Sequence, residues 1–389
     1  MTWSPFSPKV MADPANGHAE LLERCPVHRC DEFQPPFYTL SRFDDVDQAL
    51  RDIDTFSSQH GQGPRFSDPV GMLCDPPQHT YLRNIIQSAF GPRAMTELRP
   101  TVQALTNKLI DDVQAGPAEF DFHDSFAFPL PVVIIAGMLG VPQADLERFK
   151  HWSDIQVAAM GAEDPSEFEA EQIAFFSYMV NHLQTHRADI EAGKGAPDDL
   201  LTLVAGARAE DGSFIPEADA QSMLMQLLVG GNETTTSLMT NLLWRLLQNP
   251  DQWQRLKSDP SLIDGAIEES LRFDPPVLGL YRDTTRAVTL HDVTIPEGVK
   301  VYINYAAANR DPNAFENPNR FDITRPRKRH MSFGLGLHMC IGAPMARMEA
   351  EIALTALIER VPNLRLLGEG TRIAPFFLWG RRTLPLAWK

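Results

Sequence analysis

Apolar residues recur at three- and four-residue spacing through most of this chain and alternate with polar ones over only a few short stretches. That pattern predicts many helices and little sheet. The most apolar helix should run from about 216 to 249. Pro216 and Glu217 suit its first turn, and Asn249-Pro250 ends it. Met223, Leu224, Met225, Leu227, Leu228 and Val229 make it apolar nearly all round, as a helix through the core must be. A second helix should follow Gly342, where Ala343, Met345, Ala346, Met348, Ala350, Ile352 and Ala353 keep helical spacing. Residues 96 to 190 read as mostly helical, with breaks at Gly116-Pro117, Pro129 to Pro131, Gly140 to Pro142 and Pro165. PFYTLSRF predicts a short strand or two, DDVDQALRD the helix after it, and VTLHDVTIP and KVYINY further strands. Residues 57 to 77 are rich in Gly, Pro, Ser and Asp and form a long loop, which in a compact domain means function or disorder.

Polar residues break into these apolar elements at a few places. GGNETTT, residues 230 to 236, sits in the middle of the long apolar helix. Each interior glycine costs roughly 1 kcal/mol against alanine. Two of them beside an acid and three threonines mark either a turn between two helices or a helix opened to admit a small ligand. In the second case Glu233 and Thr234 are placed to relay protons. FGLGLHMCIG, residues 333 to 342, holds Cys340 among glycines just ahead of the second helix. Unpaired N–H groups at a helix start favour an anion and lower a thiol pKa. Cys340 is then a nucleophile, with His338 as its candidate base, or a metal ligand; the plainest reading is an inert buried thiol. DPPQHTYLR suggests a helix start at Pro76-Pro77 capped by Asp75. His79 and Arg83, four apart, share one face of that helix, either to hold a carboxylate or phosphate or merely as a solvated surface. Glu269 and Arg272 in AIEESLRF have the spacing of an ordinary helical ion pair.

Length and charge narrow the classes. A chain of 389 residues with 43% hydrophobic content can bury a large core. It shows neither a low-complexity linker nor an internal repeat, so residues 1–389 are expected to form one domain. A net charge of -16 favours solubility and disfavours nucleic acid as a partner. The N-terminus has no apolar run, and residues 132 to 141 are too few to span a bilayer. The expectation is a cytoplasmic protein without membrane contact. Four cysteines at irregular spacing do not suggest disulfides. Cys25, His28 and Cys30 in CPVHRC are either zinc ligands or a strand-entry segment. RPRKRH, residues 325 to 330, is basic within an acidic chain, as a solvated loop or as a surface that steers an acidic partner.

FGLGLHMCIG resembles the haem-binding loop of the cytochrome P450 family, Phe-x-x-Gly-x-His/Arg-x-Cys-x-Gly. GGNETTT resembles the same family's Ala/Gly-Gly-x-Asp/Glu-Thr-Thr motif, Glu269 and Arg272 its Glu-x-x-Arg pair, and PNRF (residues 318 to 321) its Pro-x-Arg-Phe segment. The likeness extends from His79 to the C-terminus. It implies a mainly α fold with a smaller β-rich part, a triangular prism with haem b between the long central helix and the helix after the cysteine loop. It implies Cys340 as thiolate ligand of the iron, Phe333 and Gly342 beside it, and His79, Arg83, Arg282 and His338 at the haem propionates. Thr234 and Glu233 would deliver protons for O2 activation, while Glu269, Arg272 and Arg320 would form a structural charge network. Leu73, Met225, Val229, Gly230, Val277, Leu278, Phe376 and Phe377 would line the substrate pocket. Residues 168 to 186 would belong to a mobile helix pair above it. The implied activity is monooxygenation of a small to medium apolar substrate such as a terpenoid, steroid or aromatic. Electrons would come from a ferredoxin with its NAD(P)H-dependent reductase, or from a flavodoxin, docking by the basic run. The family default is a monomer. Peroxide-using relatives commonly replace the acid–alcohol pair by arginine and proline, so a peroxygenase is the runner-up, followed by a haem-binding sensor or carrier.

Overall fold

The computed structural model describes residues 3–161, 164–194 and 197–389. Its organising element is the central helix, Glu217–Gln248, 32 residues without interruption. GGNETTT therefore lies inside one helix, and the turn does not form. Each glycine has its own reason to be there. A Cβ on Gly231 would stand 3.1 Å from Ile135 Cγ1, so its absence lets the helix Pro129–Leu139 approach closely. Gly230 has open space beside it. Thr234 Oγ1 donates to Gly230 O at 2.7 Å and Thr235 Oγ1 to Gly231 O at 3.4 Å, bonds that tie both hydroxyls back to the preceding turn.

The helices Pro129–Leu139, Leu146–Gly161, Ile263–Phe273 and Ala343–Arg360 pack on the central helix. Ala343–Arg360 also rests on Pro92–Ala115. The apolar run at 132 to 141 is part of this packing, with Val132, Ile134, Ile135 and Leu139 buried in the main core. Among the described residues no helix is long and apolar enough to cross a membrane. One helix, Glu169–Glu191, occupies most of the segment expected to form a pair, and none of its residues reaches the cavity described below. The surface loop expected at 193 to 199 lies partly outside the described residues.

The largest sheet has five strands in the order Val27–Cys30, Phe37–Leu40, Lys300–Ile303, Leu280–Thr284, Phe56–Ser57. Phe37–Leu40 runs parallel to Lys300–Ile303, which joins the start of the chain to its last third. CPVHRC enters the first strand. His28 Nε2 meets Trp3 O at 3.0 Å, Cys30 is buried, and Cys25, His28 and Cys30 do not converge, so the zinc reading falls. Among the described residues the metal-type side chains that do converge are Asp121, His123 and Asp124. Arg382 already fills that place, at 3.0 Å from His123 Nδ1 and 3.2 Å from Asp124 Oδ1.

Candidate active site

The cysteine loop is shaped by backbone requirements. Gly334 (φ +64) and Gly336 (φ +66) adopt the left-handed conformation, and a side chain on Gly336 would meet Leu50 O at 2.6 Å. Cys340 N donates to Phe333 O at 2.8 Å, and the helix Ala343–Arg360 begins on Gly342. Cys340 consequently opens onto an internal cavity of about 310 Å³, within the range of small-molecule sites. Sequence reasoning expected the helix start to lower the thiol pKa. In the structure burial dominates and pushes the Cys340 thiol up, while the Gly342 and Ala343 N–H groups and Arg83 pull it back.

Arg282 and His338 line one edge of the cavity, and His79 and Arg83 lie behind them, outside its lining. His79 and Arg282 are buried, the His79 and His338 rings lie 4.3 Å apart, and Arg83 Nη2 donates to Met339 O at 2.6 Å. Neither ring nitrogen of His79 has a hydrogen-bond partner, nor has Nε2 of His338. Burial, with His338 and Arg83 close by, lowers His79 to about 4. Orphaned buried donors beside two guanidinium groups form a site built for anions. The two carboxylates of a haem, above a cysteine sulfur, suit this donor set. Tyr305, also on the cavity wall, was missed by sequence reasoning; its only sequence signal is its place just after KVYIN. Asp75 does not cap the helix Gln78–Ile86, whose N-cap is Pro77. Its carboxylate instead accepts from Ser57 Oγ (2.5 Å) and Ser58 N (3.0 Å) and faces His338 at 3.8 Å.

Leu73, Gly230 and Val277 line the cavity, together with Thr234, Thr235 and Leu238 of the central helix. Met225, Val229, Leu278, Phe376 and Phe377 do not. The helix turns Gly230, Thr234 and Leu238 toward the cavity at four-residue spacing, which leaves Met225 and Val229 off that face. Next to Val277 in extended backbone, Leu278 points the other way, into a cluster with Ala306 and Trp379. Phe376 packs on Phe6 (4.4 Å) and Phe377 (5.4 Å).

Two buried carboxyls flank the site. Glu233 accepts from Ser237 Oγ at 3.4 Å, and burial pushes it up to about 8 against the partial relief of Ser237 and Arg382. Asp154 and Arg382, paired at 3.1 Å and both about half exposed, connect its surroundings to the surface. Glu349 was not foreseen. It lies one turn beyond the cavity-lining Met345 and Ala346, wholly buried, with neither oxygen hydrogen-bonded, and burial raises it to about 8. A carboxyl raised on folding stabilises fully below its unfolded pKa near 4.5, and that stability is lost as pH climbs toward 8. A Glu349→Gln protein should therefore gain stability over wild type progressively between those values, by on the order of a few kcal/mol at the alkaline end. Urea unfolding across this pH range measures it; parallel curves for the two proteins would show that Glu349 is not held neutral.

The structural charge network differs from expectation in one member. Arg272 bonds Glu269 through Nε (2.7 Å) and Nη2 (2.8 Å), both side chains being buried. The third partner is Arg325, whose Nε reaches Glu269 Oε2 at 3.0 Å. Arg320 is exposed and contributes only its carbonyl, which accepts from Arg325 Nη2 at 2.9 Å. The basic run is thus partly spent inward. His330 is buried against Glu268 (3.2 Å), which also binds Arg347 (2.6 Å), and these partners hold Glu268 at about 2. Arg327 and Arg329 stay largely exposed, paired with Asp264 and Asp47.

A family model described as Cytochrome P450 matches residues 158–361. Cytochrome P450 107B1 of Saccharopolyspora erythraea is 40% identical over 93% of this chain and 91% of its own length. Vitamin D(3) 25-hydroxylase of Pseudonocardia autotrophica is 35% identical over 93% of this chain and 89% of its own. The crystal structure of CYP109E1 from Bacillus megaterium in complex with corticosterone superposes with a TM-score of 0.85 at 30% identity, covering 98% of this chain and 99% of that one.

Proposed function

Since this chain belongs to the cytochrome P450 family, a family of monooxygenases with thiolate-ligated haem b, we propose that it transfers one atom of O2 to a neutral apolar substrate of terpenoid, steroid or aromatic type. The other atom leaves as water, with two electrons from a separate ferredoxin or flavodoxin and two protons. The observation that carries this reading is that Cys340 and Thr234 open on the same largely apolar cavity. The haem supplies the iron chemistry, and Cys340, His79, Arg83, Arg282 and His338 are the residues that would hold it. Thr234 places its hydroxyl at the cavity wall. Glu233, neutral near pH 7 because burial raises it to about 8, keeps a proton behind that wall, and the Asp154–Arg382 pair gives access to solvent. The corticosterone complex and the vitamin D(3) hydroxylase among its relatives support a steroid-like substrate. Four free thiols agree with the cytoplasm. The cross-chain strand pairing of Phe37–Leu40 with Lys300–Ile303 supports one domain over 1–389.

Thr234→Ala tests the protonic part. Product formed per NADH consumed should fall at least about tenfold, while the spin-state shift caused by substrate persists. Unchanged coupling would remove Thr234 from proton delivery. Turnover with H2O2 matching that with the electron donor would favour the peroxygenase reading.

Arg327 and Arg329 are exposed cations of the basic run that can meet an electron donor. Exposed ion pairs contribute little to stability, so both side chains are free to exchange Asp264 and Asp47 for a donor's carboxylates. The Arg327→Glu/Arg329→Glu protein should be reduced several-fold more slowly at low salt, with the gap closing as ionic strength rises. Equal reduction rates at low salt would place the docking surface elsewhere.

A further inference from the structure

Most polar side chains on the cavity wall already have a task. The hydroxyl protons of Thr234 and Thr235 are bound to Gly230 and Gly231 carbonyls, and Ser332 Oγ donates to Leu271 O at 2.7 Å while accepting from Asn309 Nδ2 at 2.9 Å. Arg282 and His338 belong to the anion-binding edge, and Tyr305 sits beside them, near Gly334 and Arg282. Gln62 differs. It lines the same cavity as Leu73, Val277 and Leu280, half-buried, and its side-chain amide makes no hydrogen bond among the described residues.

The backbone that carries Gln62 is nonetheless held hard. Lys300, wholly buried, donates to His60 O (2.7 Å) and Gly61 O (2.8 Å) and forms an ion pair with Asp283 Oδ1 (2.6 Å). Asp283 Oδ2 accepts from His60 N at 2.8 Å, and Gln62 O accepts from Tyr281 N at 3.0 Å. A buried ion pair thus fixes the loop immediately before an unpartnered amide on a mostly apolar wall, which is the preorganisation a recognition contact needs.

We propose that Gln62 is a specificity-determining residue that reads a neutral oxygen function on the substrate: a hydroxyl, ketone or lactone carbonyl. A carboxamide both donates and accepts, so it answers each of these groups, and it lacks the charge that would favour a carboxylate. A bare hydrocarbon seated against it covers the amide without pairing it, and is bound correspondingly more weakly. This inference rests on the haem-thiolate reading of the cavity.

The test uses N-alkylimidazoles of graded chain length in matched pairs, one ending in a methyl group and the other in a methyl ketone. The imidazole binds haem iron, so affinity is read from the Soret shift of the full-length holoprotein without knowledge of the substrate. In wild type, the ketone probe should bind at least about fivefold more tightly than its partner at the lengths that reach Gln62. In Gln62→Leu that preference should vanish while the methyl-ended probes still bind. An identical preference in both proteins at every length overturns the role of Gln62. Absence of any Soret shift with any probe overturns the haem reading itself, and the inference with it.

Discussion

The Cys340→Ala variant should lose O2-dependent turnover by more than about 100-fold, since even groups one shell out from a metal alter activity by about 10- to 100-fold. It should also lose the long-wavelength Soret band that thiolate-ligated ferrous haem shows with carbon monoxide. The reason is local. The Gly342 and Ala343 N–H groups and Arg83 are arranged to favour negative charge on this one sulfur, against a burial that pushes the thiol pKa up. Iron offers the stronger stabilisation, because a bound thiol is deprotonated outright. Haem itself should still enter, since His79, Arg83, Arg282 and His338 remain to hold its carboxylates. Pigment content, the carbon monoxide spectrum and turnover together check this. A variant that kept the thiolate band would mean that another residue ligates the iron.

Glu269→Ala should be the most destabilising single change in the cysteine-side scaffold. It leaves the buried Arg272 and the mostly buried Arg325 without their carboxylate. Breaking a buried ion pair from one side costs about 3–5 kcal/mol. Haem retention should fall with stability, because Ser332, next to Phe333 in the chain, is hydrogen-bonded to Leu271 O of the same helix. Arg320→Ala is the contrast, with an expected effect within about 0.5 kcal/mol, as for surface positions generally. Urea unfolding of the holoproteins checks both. Comparable losses for the two variants would return Arg320 to the network.

Local signals account for why some residues were legible in advance. Cys340 could be placed because the glycines around it, the helix after it and the His338 spacing are all properties of a ten-residue window. The central helix was legible from its all-round apolar character, although its glycines suggested a break. Gly231 is there for Ile135, nearly a hundred residues earlier, and no local pattern encodes that partner. Arg320 and Arg325 lie on one short segment with the same charge, and only the course of the backbone turns Arg325 inward. Leu278 and the two phenylalanines are as apolar as Val277, so composition cannot tell a cavity wall from core.

By itself the sequence determined the mainly helical class, the positions of the principal helices and loops, and the two motifs proposed to carry the chemistry, since each depends on periodicity or spacing within a few turns. The tertiary structure alone decided which side chains share the cavity, which arginine completes the Glu269 network, that burial outweighs the helix start at Cys340, and that Lys300 holds the loop bearing Gln62. Those outcomes are set by contacts between residues far apart in the chain and by desolvation, and neither exists until the chain has closed around them.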